Sequence, residues 1–404
     1  MSCDSFTING QVIGMNTQAL QNDELLDALE AMAQYGIPRA DSAHWFDVGT
    51  GPYLDYFERE VIDTFLAQGG ATCRFFEGAY GAGKTHLLQL LKSLALRKGM
   101  IVASTDLSQA VKLEDWRQIT EYIMQHMEAV VAGVHVRSLP AIIAAMSGAG
   151  IIQPESLRRT HAVHPGYHNA LYWASHAQHL EPAAWNCIQH YLLGKKVNVT
   201  EFRRYNLSGV KGQLSIRNAE LVLKTLMNGL YLLGVPGVLL LFDENERTLT
   251  SSGAMPPKKH RMAANLIRRL IDGCTTGLLT GTGVLFGVLP GFLEHCSNAY
   301  PALGQRLQIV RGGLPRRAWR VPIQMIDKVN VIEDQEDFLR EVIQLLMKHV
   351  QTLGGTIQGL QEKLMKTGEV VLEHNVGLGY KRELMKALTS VSLQYIGNRE
   401  SEVV

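Results

Sequence analysis

Apolar residues recur at helical spacing near the start of the chain and predict two helices there. The stripes consist of Leu25, Leu26, Leu29 and Met32, and of Tyr53, Phe57, Val61 and Phe65. Gly36-Ile37-Pro38 ends the first helix, and Gly69-Gly70 ends the second. We expect residues 1–70 to form an N-terminal helical entry module, in which residues 1 to about 21 are polar and carry no assignment.

Short apolar runs in the middle of the chain have the length and composition of buried strands. The first run begins at Cys73, and the other three occupy residues 100–104, 237–242 and 283–289. The run at 237–242 is the most apolar and predicts a central strand that is buried on both faces. Since a helical pattern separates the first two strands, the arrangement is that of a parallel α/β unit, and we expect this domain to cover residues 71–325.

Two further stretches are predicted to be helical. Residues from about 112 to 206 form a largely helical insertion of roughly ninety residues between sheet strands, longer than ordinary connections. Beyond Pro322, a stripe of Phe338, Val342, Leu345 and Val350 and a last helix near residues 381–393 predict a C-terminal helical lid over residues 326–404.

Composition indicates a folded chain that is not transmembrane. The 404 residues are 46% hydrophobic and 19% charged, and the formal net charge of +1 gives no global attraction to nucleic acid or membrane. Five scattered cysteines without C-x-x-C spacing favour reduced thiols in the cytoplasm. The apolar stretches at 226–242 and 277–293 are interrupted by Gly, Pro and polar residues, so we expect no membrane span.

A complete phosphate-binding loop (Walker A motif, G-x-x-x-x-G-K-[ST]) follows the first strand. We assign nucleotide contacts to Gly78-Ala79-Tyr80-Gly81-Ala82-Gly83-Lys84-Thr85-His86. Backbone N–H groups and a helix N-terminus would cradle the phosphates of ATP, and Lys84 would reach between the β- and γ-phosphates. The Thr85 hydroxyl would be a ligand of Mg²⁺. The alternative is a glycine-rich turn that binds nothing.

A second strand that ends in acids supplies the expected partner of this loop (Walker B motif). It is Val238-Leu239-Leu240-Leu241-Phe242-Asp243-Glu244. Because Mg²⁺ prefers hard oxygen ligands, Asp243 is predicted to hold the metal, and Glu244 to polarise the attacking water as a general base. Taken alone, an apolar strand that ends in solvated acids is common.

Several motifs, in this order, resemble one family. They are Ala28 to Pro38, Phe46-Asp47-Val48-Gly49, the loop from Phe76 to Thr85, Asp106-Leu107-Ser108, Leu207-Ser208-Gly209, and Leu240-Leu241-Phe242-Asp243-Glu244-Asn245-Glu246. Over about residues 25–310 the chain resembles the ATP-binding protein (BrxD-like) family of BREX bacteriophage-exclusion systems, a branch of ORC-like AAA+ ATPases. The loop motif alone is shared by all P-loop proteins, whereas the combination is much more specific.

The resemblance implies an α/β AAA+ P-loop fold with a parallel five-stranded sheet between helices and a helical lid, and nucleotide bound where subunits of a homo-oligomer meet. Tyr300-Pro301-Ala302-Leu303-Gly304-Gln305-Arg306-Leu307 is similar to the segment that carries an arginine finger, so Arg306 is the candidate to reach a neighbour's γ-phosphate. Gly379-Tyr380-Lys381-Arg382 resembles the G-x-x-R of a lid sensor helix and makes Arg382 a candidate sensor. A surface arginine and a chance match are the alternatives.

The chain also departs from the family pattern. The strand at 283–289 ends in Val288-Leu289, where AAA+ proteins usually have a polar first sensor. Thr50 stands where the family often has an arginine, which affects the adenine-side contacts. The residues after Pro322 contain no recognisable winged helix, which weakens that route to DNA binding.

Two groups of residues allow more than one interpretation. Lys258, Lys259, His260, Arg261, Arg268 and Arg269 follow a flexible loop at 251–257 and would either contact a phosphate backbone or form a solvated helix face. The histidines between His161 and His190 are a candidate metal cluster, but Pro165-Gly166 breaks a helix between His164 and His168, so solvated or core histidines fit better.

These observations favour an ATPase that uses ATP and Mg²⁺ as a motor or switch in a prokaryotic anti-phage complex. Its expected partners are ATP and ADP, further copies of itself, other defence proteins and double-stranded DNA. The alternatives are an ATP-bound switch or scaffold that hydrolyses little, and a STAND-type regulatory P-loop protein, for which the chain offers no repeat array.

Overall fold

A computed structural model gives the structure of the protein. It describes residues 6–8, 11–13, 17–38, 41–107, 111–159, 162–243, 258–311, 322–374 and 379–397. The chain forms two compact units. The larger unit comprises Pro52–Gly78 and Leu91–Val329, and the smaller unit comprises Met1–Gly51, Ala79–Leu90 and Asn330–Val404.

The smaller unit is mainly helical. Its elements are β1 (Phe6–Ile8), β2 (Gln11–Ile13), α1 (Thr17–Tyr35), a 3₁₀ turn (Ala43–Phe46), the start of α3 (Lys84–Arg97), α14 (Gln335–Thr352), α15 (Leu360–His374) and α16 (Tyr380–Gly397). Helix α1 begins at Thr17, before the predicted start near Asn22, and β1 and β2 form a short antiparallel hairpin in the polar stretch for which the sequence predicts no element.

One apolar core joins the two ends of the chain within the smaller unit. Leu29 of α1 is fully buried in a cluster with Leu346 of α14, Leu364 of α15 and Leu388 of α16. Burial of such side chains stabilises a fold by roughly 2 kcal/mol each. The first and last helices of the chain are therefore parts of one body, although more than three hundred residues separate them in sequence.

The larger unit is built on a seven-stranded sheet in the described part of the chain. Its strands are β3 (Ala71–Glu77), β4 (Ile101–Asp106), β5 (Met127–Val131), β6 (Val134–Arg137), β7 (Val238–Asp243), β8 (Thr282–Val288) and β9 (Ile323–Met325), in the order β6-β5-β4-β7-β8-β3-β9. The pairs among β3, β4, β7, β8 and β9 are parallel. The prediction of an α/β fold with a central, mostly parallel sheet is confirmed. The sheet has seven strands among the described residues, and not the expected five.

The two additional strands are a hairpin in the stretch that was predicted to be largely helical. β5 pairs antiparallel with both β4 and β6. Val131 faces Val134 across a two-residue turn, in which Ala132 and Gly133 have φ of 49° and 80°. Positive φ at both positions is the type I′ geometry that fits the twist of a hairpin. Alternating valines around this turn were the signal that the helical interpretation missed.

Helices of the larger unit cover the sheet and form its core. They are α2 (Gly51–Tyr56), α4 (Trp116–His126), α5 (Leu139–Gly148), α6 (Pro165–Ala174), α7 (Pro182–Leu192), α8 (Val199–Arg204), α9 (Ala219–Leu232), α10 (Lys258–Thr275), α11 (Phe292–Ala299), α12 (Pro301–Arg311) and α13 (Ile326–Val329). Phe242 of β7 and Phe286 of β8 stack at 4.7 Å between ring centroids inside this core. In the described part of the chain, no helix is both long and apolar enough to cross a membrane.

A π-helix at Phe57–Leu66 changes which face of the second helix is buried. Ala67 N–H donates to the Ile62 carbonyl oxygen at 3.1 Å, five residues back. The wider turn moves Leu66 into the core and leaves Phe65 47% exposed. The prediction that Phe65 continues the apolar stripe was therefore wrong, because it assumed 3.6 residues per turn.

Candidate functional site

The glycine-rich loop after β3 has a left-handed backbone at two of its glycines. Gly81 and Gly83 have φ of 76° and 99°, in the left-handed region that favours glycine. At Gly83 no neighbouring atom lies within 4 Å of an added Cβ, so the backbone conformation alone requires glycine there. At Gly81 an added Cβ would also lie 2.3 Å from the Gly379 carbonyl oxygen.

Helix α3 starts within the motif. Leu87 N–H donates to the Gly83 carbonyl oxygen at 3.0 Å, so the helical ladder begins at Gly83 and the first turn contains Lys84, Thr85 and His86. The first N–H groups of a helix have no partner inside it and carry partial positive charge, which suits an anion. The predicted phosphate ligands are therefore at the position where a helix N-terminus attracts phosphate.

The side chain of Lys84 is hydrogen-bonded to the backbone of its own loop. Lys84 Nζ donates to the Ala79 carbonyl oxygen at 2.9 Å, and Ala82 N–H donates to the same oxygen at 3.2 Å. Ala82 is buried. Gly78, the last residue of the larger unit before the loop, donates its N–H to Val288 at 3.1 Å, which ties the end of β3 to β8.

The predicted sensor residue Arg382 lies against the loop. Arg382 Nη1 donates to the Tyr80 hydroxyl at 2.7 Å, and its guanidinium carbon is 5.6 Å from the centroid of the Tyr80 ring. Arg382 Nη2 donates to the Tyr35 carbonyl oxygen at 3.0 Å. Since Gly379 also packs on Tyr80 and Gly81, the first turn of α16 lies beside the loop. The structure therefore places the predicted sensor Arg382 against Tyr80 of the loop.

A turn at residues 47–50 forms another part of the smaller unit near this site. The Asp47 carboxylate accepts hydrogen bonds from the N–H and the hydroxyl of Thr50. Asn330 Nδ2 donates to the Val48 carbonyl oxygen at 2.8 Å. Thr50 is buried, and its hydrogen bonds to Asp47 order the turn.

His86 is the unusual residue of the first turn of α3. Its Nε2 atom is buried and has no hydrogen-bond partner among the described residues, although part of the residue is exposed. Burial lowers the pKa of His86 to about 4; the charge of Asp47 raises this pKa and that of Lys381 lowers it. His86 is therefore neutral at pH 7.

In the larger unit, two carboxylates end neighbouring strands. Asp106 of β4 stands in register with Asp243 of β7, and Leu107 N–H donates to the Asp243 carbonyl oxygen at 3.1 Å. Both carry oxygen ligands of the kind that Mg²⁺ prefers. The sequence indicated Asp106 only as part of a family motif, whereas the common end of two parallel strands places it beside Asp243. Glu244 lies outside the described residues.

The strand β8 confirms that no polar side chain occupies its end. Val288 is fully buried and pairs with Glu77 of β3. The Glu77 carboxylate accepts a hydrogen bond from Gly291 N–H at 3.1 Å. Glu77 is thus a third carboxylate at this edge of the sheet, after Asp106 and Asp243, and no role was predicted for it.

The predicted arginine finger, Arg306, forms an ion pair within its own chain. Arg306 Nε donates to Asp272 Oδ1 at 2.7 Å, and Arg268 Nη1 lies 3.5 Å from the other oxygen of Asp272. The Arg306 side chain is 41% exposed. Within the described residues, its Nη groups have no partner.

The predicted basic face divides into two parts. Arg269 pairs with the Glu220 carboxylate at 2.5 Å, and Arg268 pairs with Asp272. At the start of α10, Lys258, Lys259 and Arg261 are exposed. A cavity of about 520 Å³ lies beside them, lined by Lys258, Arg261, Met262, Asn265 and Tyr300.

The histidine cluster serves local structure where it is described. His164 caps α6 by accepting from Tyr167 N–H at 3.3 Å, and His168 Nε2 lies 2.8 Å from the Leu157 carbonyl oxygen. Among the described residues, no three His, Cys, Asp or Glu side chains are grouped so that they could hold a metal ion. His161 lies outside them.

These elements define a mixed α/β protein with a central, mostly parallel sheet and a glycine loop at a helix N-terminus. The chain matches the family described as BREX system ATP-binding protein BrxC/D over residues 19–143 and 161–314. Because these stretches make up more than two thirds of the chain, the protein belongs to this family. The resemblance noted in the sequence is thereby confirmed. No curated protein and no solved structure matches the chain.

Proposed function

We propose that the protein is an ORC-like AAA+ ATPase, which binds ATP with Mg²⁺ and hydrolyses it to drive a conformational change in a BREX anti-phage complex. The observation that carries this proposal is the loop of Gly81 and Gly83, with its left-handed backbone and the N-terminus of α3 directly behind it. Membership of a family of ATP-binding proteins supports ATP as the ligand.

The proposed roles follow from the chemistry of each residue. Backbone N–H groups from Gly78 to Thr85 bind phosphate oxygens, and Lys84 neutralises charge that develops on them. Thr85 and Asp243 would hold Mg²⁺, which supplies further charge neutralisation when bound. Glu244 takes a proton from water as the water oxygen attacks the γ-phosphorus, and the bond to the bridging oxygen breaks, releasing ADP and phosphate.

Arg306 and Arg382 each have a proposed role. The ion pair of Arg306 with Asp272 uses Nε and fixes the side chain, so that the Nη groups remain available for a γ-phosphate bound by a neighbouring copy. Arg382 would respond to nucleotide from the lid, because its guanidinium already contacts the loop through Tyr80. The role of Arg306 requires a homo-oligomer, and the role of Arg382 requires a movement of the lid.

A second candidate function is an ATP-bound switch that hydrolyses slowly and recruits other defence proteins. The buried Val288 at the end of β8 favours it, since a valine cannot hydrogen-bond the attacking water. In either function, double-stranded DNA is a proposed partner, and the exposed Lys258, Lys259 and Arg261 are its proposed contacts.

The test measures ATP binding, phosphate release and particle mass for wild type, Lys84→Ala and Glu244→Gln, with and without double-stranded DNA. We expect Lys84→Ala to lose ATP binding. We expect Glu244→Gln to bind ATP but to release phosphate at least about 100-fold more slowly, because a general base contributes on that order. An increase in mass with ATP would support the oligomer.

Glu294→Gln is the matched control, because Glu294 is an exposed glutamate on α11. It should leave turnover within about twofold of wild type. ATP binding without turnover under any condition would favour the switch over the enzyme. Absence of ATP binding by wild type would contradict both functions.

A further inference from the structure

The strand β6 ends the central sheet on one side, and its outer edge is exposed. In the described part of the chain, β6 (Val134–Arg137) pairs with β5 alone. Val134, His135 and Arg137 are exposed, and Val136 is half-buried against the core of the larger unit. An exposed edge strand presents backbone donors and acceptors that the sheet does not use, so a further strand can be added there.

The register of the hairpin determines which backbone groups of β6 point outward. Ser138 N–H donates to the Met127 carbonyl oxygen at 2.8 Å, which makes these two residues a hydrogen-bonded pair. Hydrogen-bonded and non-hydrogen-bonded pairs alternate along an antiparallel ladder. Counted back from Ser138, Arg137 and His135 are therefore in non-hydrogen-bonded pairs with β5. Their N–H and C=O groups point away from β5, towards the open edge.

One face of β6 carries a cation that the chain does not neutralise. Glu128 of β5 lies opposite Arg137 in the register, but both of its oxygens already form ion pairs. One oxygen pairs with Lys92, and the other lies 2.9 Å from His135 Nε2. Among the described residues, the exposed Arg137 side chain has no ion-pair partner. An added strand that places a carboxylate opposite Arg137 would supply one.

The other face of β6 is apolar. Val136 packs against the core together with Ala129 and Val131 of β5, and Val134 beside them is 63% exposed. Successive side chains of a strand point to opposite faces of the sheet. An added strand whose side chains alternate between acidic and apolar would therefore match Arg137 on one face and cover Val134 on the other.

A second copy of the chain does not meet this requirement. If two copies of β6 paired antiparallel through their outward groups, the residue opposite Arg137 would be Gly133, His135 or Arg137 of the second copy, depending on the register. None of these residues carries a carboxylate, and two of them bring a cation or an imidazole against a cation. The charge of the edge thus disfavours self-association and favours an acidic partner.

We propose that β6 is a docking edge for an extended acidic segment of a partner protein, in which carboxylates alternate with apolar residues. The segment adds a strand to the sheet, its backbone pairs with the outward groups of His135 and Arg137, and one of its carboxylates pairs with the Arg137 guanidinium. Four strands lie between β6 and β3, which precedes the glycine-rich loop, so the proposal does not depend on nucleotide binding.

The experiment measures equilibrium binding of two short synthetic peptides to the full chain by fluorescence anisotropy. One peptide alternates glutamate with valine, and the other has lysine in place of each glutamate. We expect the glutamate peptide to bind at least about tenfold more tightly, because lysine would bring like charges together opposite Arg137. Arg137→Gln should weaken binding of the glutamate peptide about three- to fivefold, as expected for an exposed ion pair. Arg203→Gln removes another exposed arginine of the larger unit and should leave binding unchanged.

Amide hydrogen exchange locates the bound peptide. Without peptide, the N–H groups of His135 and Arg137 should exchange rapidly, whereas that of Val136 is protected by its pairing with β5. Saturation with the glutamate peptide should slow exchange at His135 and Arg137 at least about tenfold. It should leave exchange unchanged in β9, the strand at the other end of the sheet.

Three results would overturn the proposal. The first is equal binding of the two peptides, and the second is unchanged exchange at His135 and Arg137 with peptide bound. The third is an equal loss of affinity in Arg137→Gln and Arg203→Gln, which would indicate nonspecific attraction. A particle mass of two copies without peptide, lost in His135→Pro, would assign the edge to a second copy instead, since proline removes an outward N–H that β5 does not use.

Discussion

At the scale of single residues, backbone conformation decides which glycines of the loop are indispensable. The motif fixes Gly78 and Gly83, and it leaves position 81 open to any residue. The structure shows that Gly81 is constrained twice, by its φ of 76° and by the Gly379 carbonyl oxygen. A loop position that the motif treats as variable is therefore among its most restricted.

Gly81→Ala should destabilise the smaller unit more than a glycine replacement that meets no neighbour. A left-handed alanine costs about 1–2 kcal/mol, and overlap with a backbone oxygen adds roughly 2 kcal/mol more. Gly359→Ala is the matched control, because Gly359 has φ of 73° and no atom within 4 Å of an added Cβ. Thermal unfolding measures both variants, and equal losses of stability would show that the contact with Gly379 does not restrict Gly81.

At the scale of elements, a hairpin with a tight turn extends the sheet beyond its parallel strands. The hairpin of β5 and β6 covers one edge of the sheet, and its register depends on the turn at Ala132 and Gly133. Alanine is a poor residue at positive φ, whereas asparagine tolerates it. The native turn thus has a suboptimal first residue.

Ala132→Asn should stabilise the hairpin, by roughly 0.5–1 kcal/mol, because it converts the turn to the Asn-Gly pair that type I′ turns favour. Gly133→Ala is the opposite change and should destabilise the hairpin by about 1 kcal/mol, since Gly133 has φ of 80°. Amide hydrogen exchange at Val131 and Val134 measures both effects. Slower exchange in Gly133→Ala than in wild type would contradict the turn assignment.

At the scale of the whole molecule, the net charge is only +1, so electrostatic attraction to nucleic acid has to come from local groups of charged residues. Arg269 and Arg268 form ion pairs with Glu220 and Asp272, while Lys258, Lys259 and Arg261 stay exposed near the start of α10. Three exposed cations in the first turn of α10 form a surface that can follow a phosphate backbone.

The triple replacement of Lys258, Lys259 and Arg261 by alanine should weaken binding to double-stranded DNA and reduce the slope of log affinity against log salt concentration by about 2–3, since each phosphate contact contributes about 0.9. Fluorescence anisotropy at several salt concentrations measures this slope. Alanine replacement of Lys195, Lys196 and Arg203 removes the same charge from exposed positions elsewhere and should leave the slope unchanged. Equal effects of both triples would indicate nonspecific attraction.

The sequence by itself determined the features that depend on neighbours along the chain. Those are the α/β alternation, the buried strand ending at Asp243, the start of a helix at Lys84 and the family. Local spacing and composition suffice for these, because a strand or a helix start is set within a few residues.

Only the tertiary structure decided the features that depend on contacts across the chain. It placed Arg382 on Tyr80, paired Arg306 with Asp272, aligned Asp106 with Asp243 and left the Nε2 atom of His86 buried without a partner. It also added an antiparallel edge to the sheet and buried Leu66 in place of Phe65. Burial, register and hydrogen-bond partners arise from packing between segments distant in sequence, and no local pattern encodes them.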